Sequence, residues 1–279
     1  DPRRFGPYAT RGYLKEKNEE AYANVFTTHY PDEERSAARP LKTAPCYDRM
    51  KALGAVFGSV YGWERPNWFM PSADYSLSVE ELNQEDPAKV LMNKNHATAL
   101  EDGRIVEKNS FRRSNYFEHV GNECKHVNDK VGLLDMSAFA KCIVKGPGAE
   151  EWLEYIFANK MPKAIGRISL VHMLSLNGGV RAEFTVYKTG PQSYYLVSAG
   201  AFETHDHDYL FKLVPKDGSV NIQRVTTQTG VLVLAGPRSR DVLRKLTDTD
   251  LSNDNFKWLT GKKINVGFAP AEALRVNFV

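Results

Sequence analysis

Apolar positions along this 279-residue chain change their spacing several times, and each change marks a predicted element. Residues 1–40 are rich in Tyr, Glu and Arg. They show only weak helical periodicity from Leu14 to Val25 and a turn over Tyr30-Pro31-Asp32-Glu33-Glu34-Arg35, so they read as a connector without its own core. Tyr47, Met50 and Leu53 recur at i, i+3 and i+6, which predicts a short helix within Pro40 to Leu53 closed by Gly54. Ala55 to Val60 alternate small and apolar residues into the aromatic run Gly62-Trp63-Glu64-Arg65-Pro66-Asn67-Trp68-Phe69. Residues 71–110 then turn polar and charged, and read as a surface insertion.

Beyond residue 111 the pattern alternates between helix and strand periods. Cys124 to Val131 suits a short helix and Lys141 to Val144 a strand. Gly148 to Phe157 puts Trp152, Leu153, Ile156 and Phe157 on one helical face. Ile168 to Leu174 and Glu183 to Tyr187 read as strands around the turn Asn177-Gly178-Gly179, where glycine supplies positive φ. Tyr194 to Val197 and Val231 to Leu234 read as further strands. Glu203 to Leu213 and Pro237 to Leu246 read as helices, the latter with Pro in its first turn. The fold class is therefore α+β.

Composition narrows the function classes. A chain that is 42% hydrophobic and 25% charged suits a soluble globular protein with a substantial core. A net charge of +3 argues against nucleic acid or an anionic membrane surface as partner. No apolar run approaches the roughly 20 residues of a membrane-spanning helix. Cys46, Cys124 and Cys142 are odd in number and widely spaced. They read as free thiols in a reducing compartment, cytoplasm or mitochondrial matrix.

Four segments carry a resemblance. They are the run Gly62 to Phe69; Gly132-Leu133-Leu134-Asp135-Met136-Ser137-Ala138-Phe139; Asn177-Gly178-Gly179-Val180-Arg181-Ala182-Glu183-Phe184-Thr185-Val186-Tyr187; and Ala235-Gly236-Pro237-Arg238-Ser239-Arg240-Asp241-Val242-Leu243. In this order the chain resembles the dimethylglycine and sarcosine dehydrogenases. These are flavin amine dehydrogenases whose C-terminal half is similar to the tetrahydrofolate-binding aminomethyltransferase of the glycine cleavage system. Asp1-Pro2-Arg3-Arg4-Phe5 resembles the closing segment of the flavin domain, and the family continues past Val279 into a Gly-Glu-Leu-Gly segment, so the chain reads as a middle section. The resemblance implies residues 1–70 as the end of the flavin domain and connector, 71–110 as the insertion, and 111–279 as the first part of the folate domain.

The same resemblance assigns site residues. It implies tetrahydrofolate as cofactor here, FAD held mainly by sequence outside this chain, a methylated amine as substrate, and an electron acceptor that these residues do not specify. Glu183 stands where the aminomethyltransferases place an Asp beside the folate nitrogens. Its implied role is to accept or relay a proton, or to stabilise a cationic intermediate. On pattern alone it is an exposed strand-start carboxylate. Tyr187, four residues on and on the same strand face, matches a pterin contact. Phe139 replaces a Met of the family, Leu170 a Tyr and Ser198 an Asn. Trp63, Glu64, Arg65 and Trp68 line a seam between the flavin and folate halves or simply join them; Glu64 has no evident partner in sequence.

Other chemistry is poorly supported. Asp135 in the Leu-Leu-Asp-Met-Ser turn is more simply a side chain bonded to its own backbone. His205-Asp206-His207-Asp208 and Cys124-Lys125-His126 lack the spacing of a metal site, since alternate residues of a helix point to different faces. Lys145-Gly146-Pro147-Gly148 and Asn177-Gly178-Gly179 read as turns and not as a dinucleotide fingerprint. Two rival functions remain, a stand-alone folate-dependent aminomethyltransferase without flavin, and a non-catalytic regulatory subunit of the same architecture.

Overall fold

The computed structural model describes residues 6–70, 111, 113, 114 and 116–277. Residues 71–110, expected from sequence to be an insertion, and the opening Asp1 to Phe5 lie outside the described residues. The chain divides into two compact units, residues 1–127 and 128–279, each described by itself.

In the first unit, helix α1 (Arg11–Ala23) is capped by Thr10, whose hydroxyl accepts the Tyr13 N–H, and buries none of its residues. It is anchored by polar contacts: Glu20 accepts the Ala37 N–H at 2.8 Å and Glu16 the Ala38 N–H at 2.9 Å. Helix α2 (Tyr47–Ala52) buries Met50 and Ala52. It leads into an antiparallel hairpin of β1 (Ala55–Val60) and β2 (Trp63–Phe69). The two turn residues, Tyr61 at φ 52° and Gly62 at φ 81°, both take the left-handed conformation that matches strand twist in a tight hairpin.

The aromatic run is thus a strand, a reading that Pro66 discourages in sequence. The structure accommodates Pro66 where the register shifts opposite Val56 and Phe57, the kind of irregularity at which a missing N–H is tolerated. Of the residues expected at a domain seam, Trp63, Glu64 and Trp68 are 6%, 4% and 2% exposed. Trp68 stacks on Tyr116 and His119. Arg65 is half-buried on the same strand.

Glu64 has a partner after all, 25 residues earlier in the chain. The Arg39 guanidinium donates to Glu64 Oε1 at 2.9 Å, to Glu64 Oε2 at 2.6 Å and to the Phe57 carbonyl at 2.8 Å. This fork ties the connector to both hairpin strands, and the bond to Glu64 raises the Arg39 pKa against the opposing effect of burial. Removing one member strands a buried charge. Glu64→Ala is expected to destabilise this unit by about 3 kcal/mol, measured by urea unfolding.

Helix α3 spans Phe117–Asp129. The second unit is built on a five-stranded antiparallel sheet in the order β5-β6-β7-β4-β8. These strands are β4 (Ala140–Lys145), β5 (Ile168–Leu174), β6 (Val180–Gly190), β7 (Ser193–Ser198) and β8 (Asn221–Arg224). Two-stranded ribbons pair β3 (Gly132–Asp135) with β9 (Leu232–Ala235), and β10 (Thr260–Val266) with β11 (Ala269–Arg275). The helices are α4 (Ala149–Ile156), α5 (Glu203–Lys212) and the short α6 (Ser239–Leu243).

One sheet face carries the core. Val144, Val171, Phe184, Val186, Tyr194 and Leu196 from four strands pack with Trp152 and Leu153 of α4 and Leu210 of α5. Burying each large apolar side chain here contributes about 2 kcal/mol. Trp152 satisfies its indole N–H on the Leu213 carbonyl at 2.8 Å.

A polar knot borders this core. Glu150 accepts Lys188 Nζ at 2.6 Å, the Tyr194 hydroxyl at 2.7 Å and Lys163 Nζ at 2.9 Å. Lys188 foremost, then Tyr194 and Lys163, hold the Glu150 carboxyl down at about 2, against an ordinary value of 4.5. A depressed carboxylate stabilises the fold fully above its unfolded pKa and loses that contribution as pH falls from about 4.5 towards 2. At pH 7 the Glu150→Gln protein should lose about 1 kcal/mol in urea unfolding, a figure discounted for solvent screening of a side chain that is 35% exposed. The difference from wild type should shrink at pH 2.5.

Candidate functional site: the open face of the sheet

Side chains alternate along β6, so Phe184, Val186 and Lys188 enter the helix-covered side while Glu183, Thr185 and Tyr187 occupy the other. Direct cross-strand partners share a face. His172, Leu170 and Ile168 of β5 stand opposite Glu183, Thr185 and Tyr187. Val197 and Tyr195 of β7 continue the rows, followed by Lys141 and Ile143 of β4. The hairpin that sets this register turns as its sequence predicts, with Gly178 at φ 81° and the Ser175 N–H donating to the Gly179 carbonyl at 2.8 Å.

Glu183 and Leu170 are exposed members of this face. The Glu183 side chain is 57% exposed and its Oε2 lies 3.0 Å from His172 Nε2, while His172 Nδ1 lies 3.2 Å from Asn159 Oδ1. Leu170 is half exposed and offers an apolar surface one strand away. Tyr187 is different. It is 5% exposed, its hydroxyl donates to Glu272 Oε2 of β11 at 2.9 Å, and Gly261 of β10 lies against its ring. Burial first, and the Glu272 carboxylate second, push the Tyr187 pKa above its ordinary value. The hydroxyl is thereby a fixed donor that pins the β10–β11 ribbon to the sheet.

Further along the face, Lys141 is 2% exposed and donates to the Ser137 carbonyl at 2.8 Å and the Thr229 carbonyl at 2.6 Å. It joins the turn before β4 to the loop before β9, and burial brings its pKa down to about 8. Phe139 lies in that turn, where its N–H donates to the Met136 carbonyl at 3.1 Å. Asp135 has the structural role expected of it: Oδ1 accepts the Ser137 N–H at 2.8 Å.

Ser198 does not join Glu183, Leu170 and Tyr187. It follows Tyr194 and Leu196 in the alternation of β7, so it faces α5, where its hydroxyl donates to Asp206 Oδ2 at 3.3 Å. The space on that side, lined by Cys142, Ser198, Asp206 and Arg224 among others, is about 20 Å³ and has room for a water molecule only. Cys142, with its thiol pushed up to about 12 by burial, is no nucleophile. His205 bonds to Asp206 and His207 to Arg224. Among the described residues no group of three or more His, Cys, Asp or Glu is placed to hold a metal ion.

Residues 46–279 match the GCVT N-terminal domain. The chain belongs to that family. Residues 1–44 match the FAD dependent oxidoreductase central domain, so both halves of the resemblance are present in one chain. The chain is 36% identical to the mitochondrial dimethylglycine dehydrogenase of Mus musculus over its whole length, which is 29% of that protein. It is 29% identical to the mitochondrial pyruvate dehydrogenase phosphatase regulatory subunit of the same organism, covering 96% of this chain and 28% of that one. The chain thus spans less than a third of the length of these relatives. In fold it is similar to the glycine cleavage system aminomethyltransferase T of Bartonella henselae, with a TM-score of 0.56 at 19% identity, over 79% of this chain and 47% of that one.

Three residues of the open face escape the sequence reading: His172, Asn159 and Glu272. His172 is recoverable from the strand register, because Ile168 to Leu174 pairs with the strand of Glu183 around a glycine turn. Asn159 and Glu272 come from a post-helix segment and a distant ribbon that no local pattern connects. Gly261 is equally silent in sequence, yet a Cβ there would stand 2.6 Å from the Tyr187 ring. Gly261→Ala should therefore displace the ring, destabilise this unit by about 2 kcal/mol in thermal unfolding and break the Tyr187–Glu272 bond, whereas Gly267→Ala leaves that bond in place.

Proposed function

We propose that this chain is the folate-binding section of an FAD-dependent oxidative demethylase of a methylated glycine, dimethylglycine or sarcosine, and that Glu183 is its acid–base residue. The observation that carries the reading is the open sheet face, where an exposed carboxylate stands beside an exposed apolar Leu170. A flat, nitrogen-rich ring needs that combination, an acceptor for its N–H groups and an apolar surface for its plane. The donor set fits tetrahydrofolate with Glu183 and Leu170 in contact, Tyr187 supporting them from beneath the β10–β11 ribbon, and Phe139 in the turn before β4.

Tetrahydrofolate, when bound, supplies the nitrogens that take up a one-carbon unit as 5,10-methylenetetrahydrofolate, and FAD supplies the oxidation of the amine. Glu183 accepts the proton that a folate nitrogen loses as it forms its new bond to carbon, which a carboxylate within hydrogen-bond reach does efficiently. Leu170 and the strand beneath it hold the acceptor at a fixed distance from the reacting nitrogen, so capture outcompetes escape of the one-carbon unit to water. The match of residues 1–44 to an FAD-dependent oxidoreductase domain supports a flavin-linked protein over a stand-alone aminomethyltransferase. The similarity to a mitochondrial dehydrogenase supports the matrix as location.

The similarity to a phosphatase regulatory subunit keeps a second reading in view, a folate fold retained for regulation. Calorimetric titration of tetrahydrofolate into the full-length protein and its Glu183→Gln variant separates the two. The enzyme reading predicts saturable binding in both, with yield of methylenetetrahydrofolate from dimethylglycine lowered about 100-fold in the variant. Binding in neither protein favours the regulator.

A further inference from the structure

Three neighbouring tracks of backbone carry the side chains around Glu183. Phe157 bridges Met173, and the Ala158 N–H donates to the His172 carbonyl at 2.9 Å, so the segment after α4 lies along β5, which in turn pairs with β6. Asn159, His172 and Glu183 thereby line up across the sheet, with the imidazole bonded at both ends.

Donor and acceptor chemistry limits what this line can be. The 3.0 Å approach of His172 Nε2 to Glu183 Oε2 is a hydrogen bond only with a proton between them. The far nitrogen faces Asn159 Oδ1 at 3.2 Å, which requires Nδ1–H. With the Asn159 amide oxygen against Nδ1, the contact on the other side of the ring carries one proton between Nε2 and Oε2. Asn159 fixes the ring orientation and keeps Nε2 turned to the carboxylate.

We propose that Asn159, His172 and Glu183 form a proton relay, in which His172 is the positioning residue that holds the Glu183 carboxylate and takes over the proton Glu183 receives. It rests on the folate reading of Glu183 given above. The balance requires the shared proton to leave first, to solvent through the exposed side of the pair; the proton lost by a folate nitrogen then goes to the freed Glu183 carboxylate and on to the vacant His172 Nε2, restoring the bonded pair. The other ionisable groups on this face are engaged elsewhere, Tyr187 with Glu272, and Lys141 with two carbonyls. Tyr195 of β7 is held protonated by burial, and Lys160 is the charged neighbour of Asn159 along its segment.

The test has a readout independent of turnover. In full-length protein labelled at histidine, NMR titration of His172 should show its ring losing the proton at lower pH by at least half a unit in Glu183→Gln than in wild type. An unchanged titration overturns the relay. In parallel, single-turnover formation of methylenetetrahydrofolate from dimethylglycine is followed against pH in wild type and His172→Gln. The relay predicts about a tenfold loss together with displacement of the acid limb to lower pH, because the second proton acceptor is gone. A uniform loss with the limb unmoved would reduce His172 to a structural contact and overturn the proposal. Full transfer by Glu183→Gln would instead remove the folate reading itself, and the NMR titration would still report whether the pair shares a proton.

Discussion

The pairing of β5 with β6 is the constraint from which the rest of the second unit follows. Because side chains alternate with period two, this register sends Phe184 and Val186 into the core and leaves Glu183, Thr185 and Tyr187 on the opposite face. A slip of one residue would bury a carboxylate against Leu153 and Leu210 and expose the core to water. The turn at Ser175 to Gly179 fixes the register at one end, and the irregular pairing near Arg181 absorbs the mismatch before Glu183 is reached. Packing energy thus serves placement: the apolar half of β6 is buried so thoroughly that its polar half has a single available orientation.

The same division of labour explains why the residues expected to meet a ligand have unequal parts. Glu183 and Leu170 are open, whereas Tyr187 is covered by the β10–β11 ribbon and acts as a strut with Glu272. Ser198 belongs to the helix side with Asp206. In the first unit the buried Arg39–Glu64 pair plays a comparable structural part, fastening a nearly coreless connector to a hairpin through charge-assisted bonds.

What the sequence discloses depends on the range of the interaction. The β5–β6 hairpin, α4 with its Trp152–Leu153 face and the backbone bond of Asp135 are local, and each is legible from periodicity or turn chemistry. The strand Trp63–Phe69 is hidden by Pro66, whose exclusion from strands is relaxed at a register shift. The β10–β11 ribbon carries little apolar alternation because it is only partly buried, and its role appears only when Gly261 is seen against Tyr187. The partner of Glu64 is hidden in sequence because Arg39 is 25 residues away. The candidate site divides likewise: Glu183, Leu170 and Tyr187 follow from family resemblance and strand parity, while Asn159 and Glu272 are brought in by tertiary pairing.

The central claim is that one face of this sheet receives a folate with Glu183 at the reacting nitrogen. Structure determination of the full-length protein with tetrahydrofolate tests it directly. The account predicts the ring of the ligand over Leu170, with a ring nitrogen about 3 Å from a Glu183 oxygen. A folate bound elsewhere, or Glu183 pointing to solvent with the ligand in place, would contradict it.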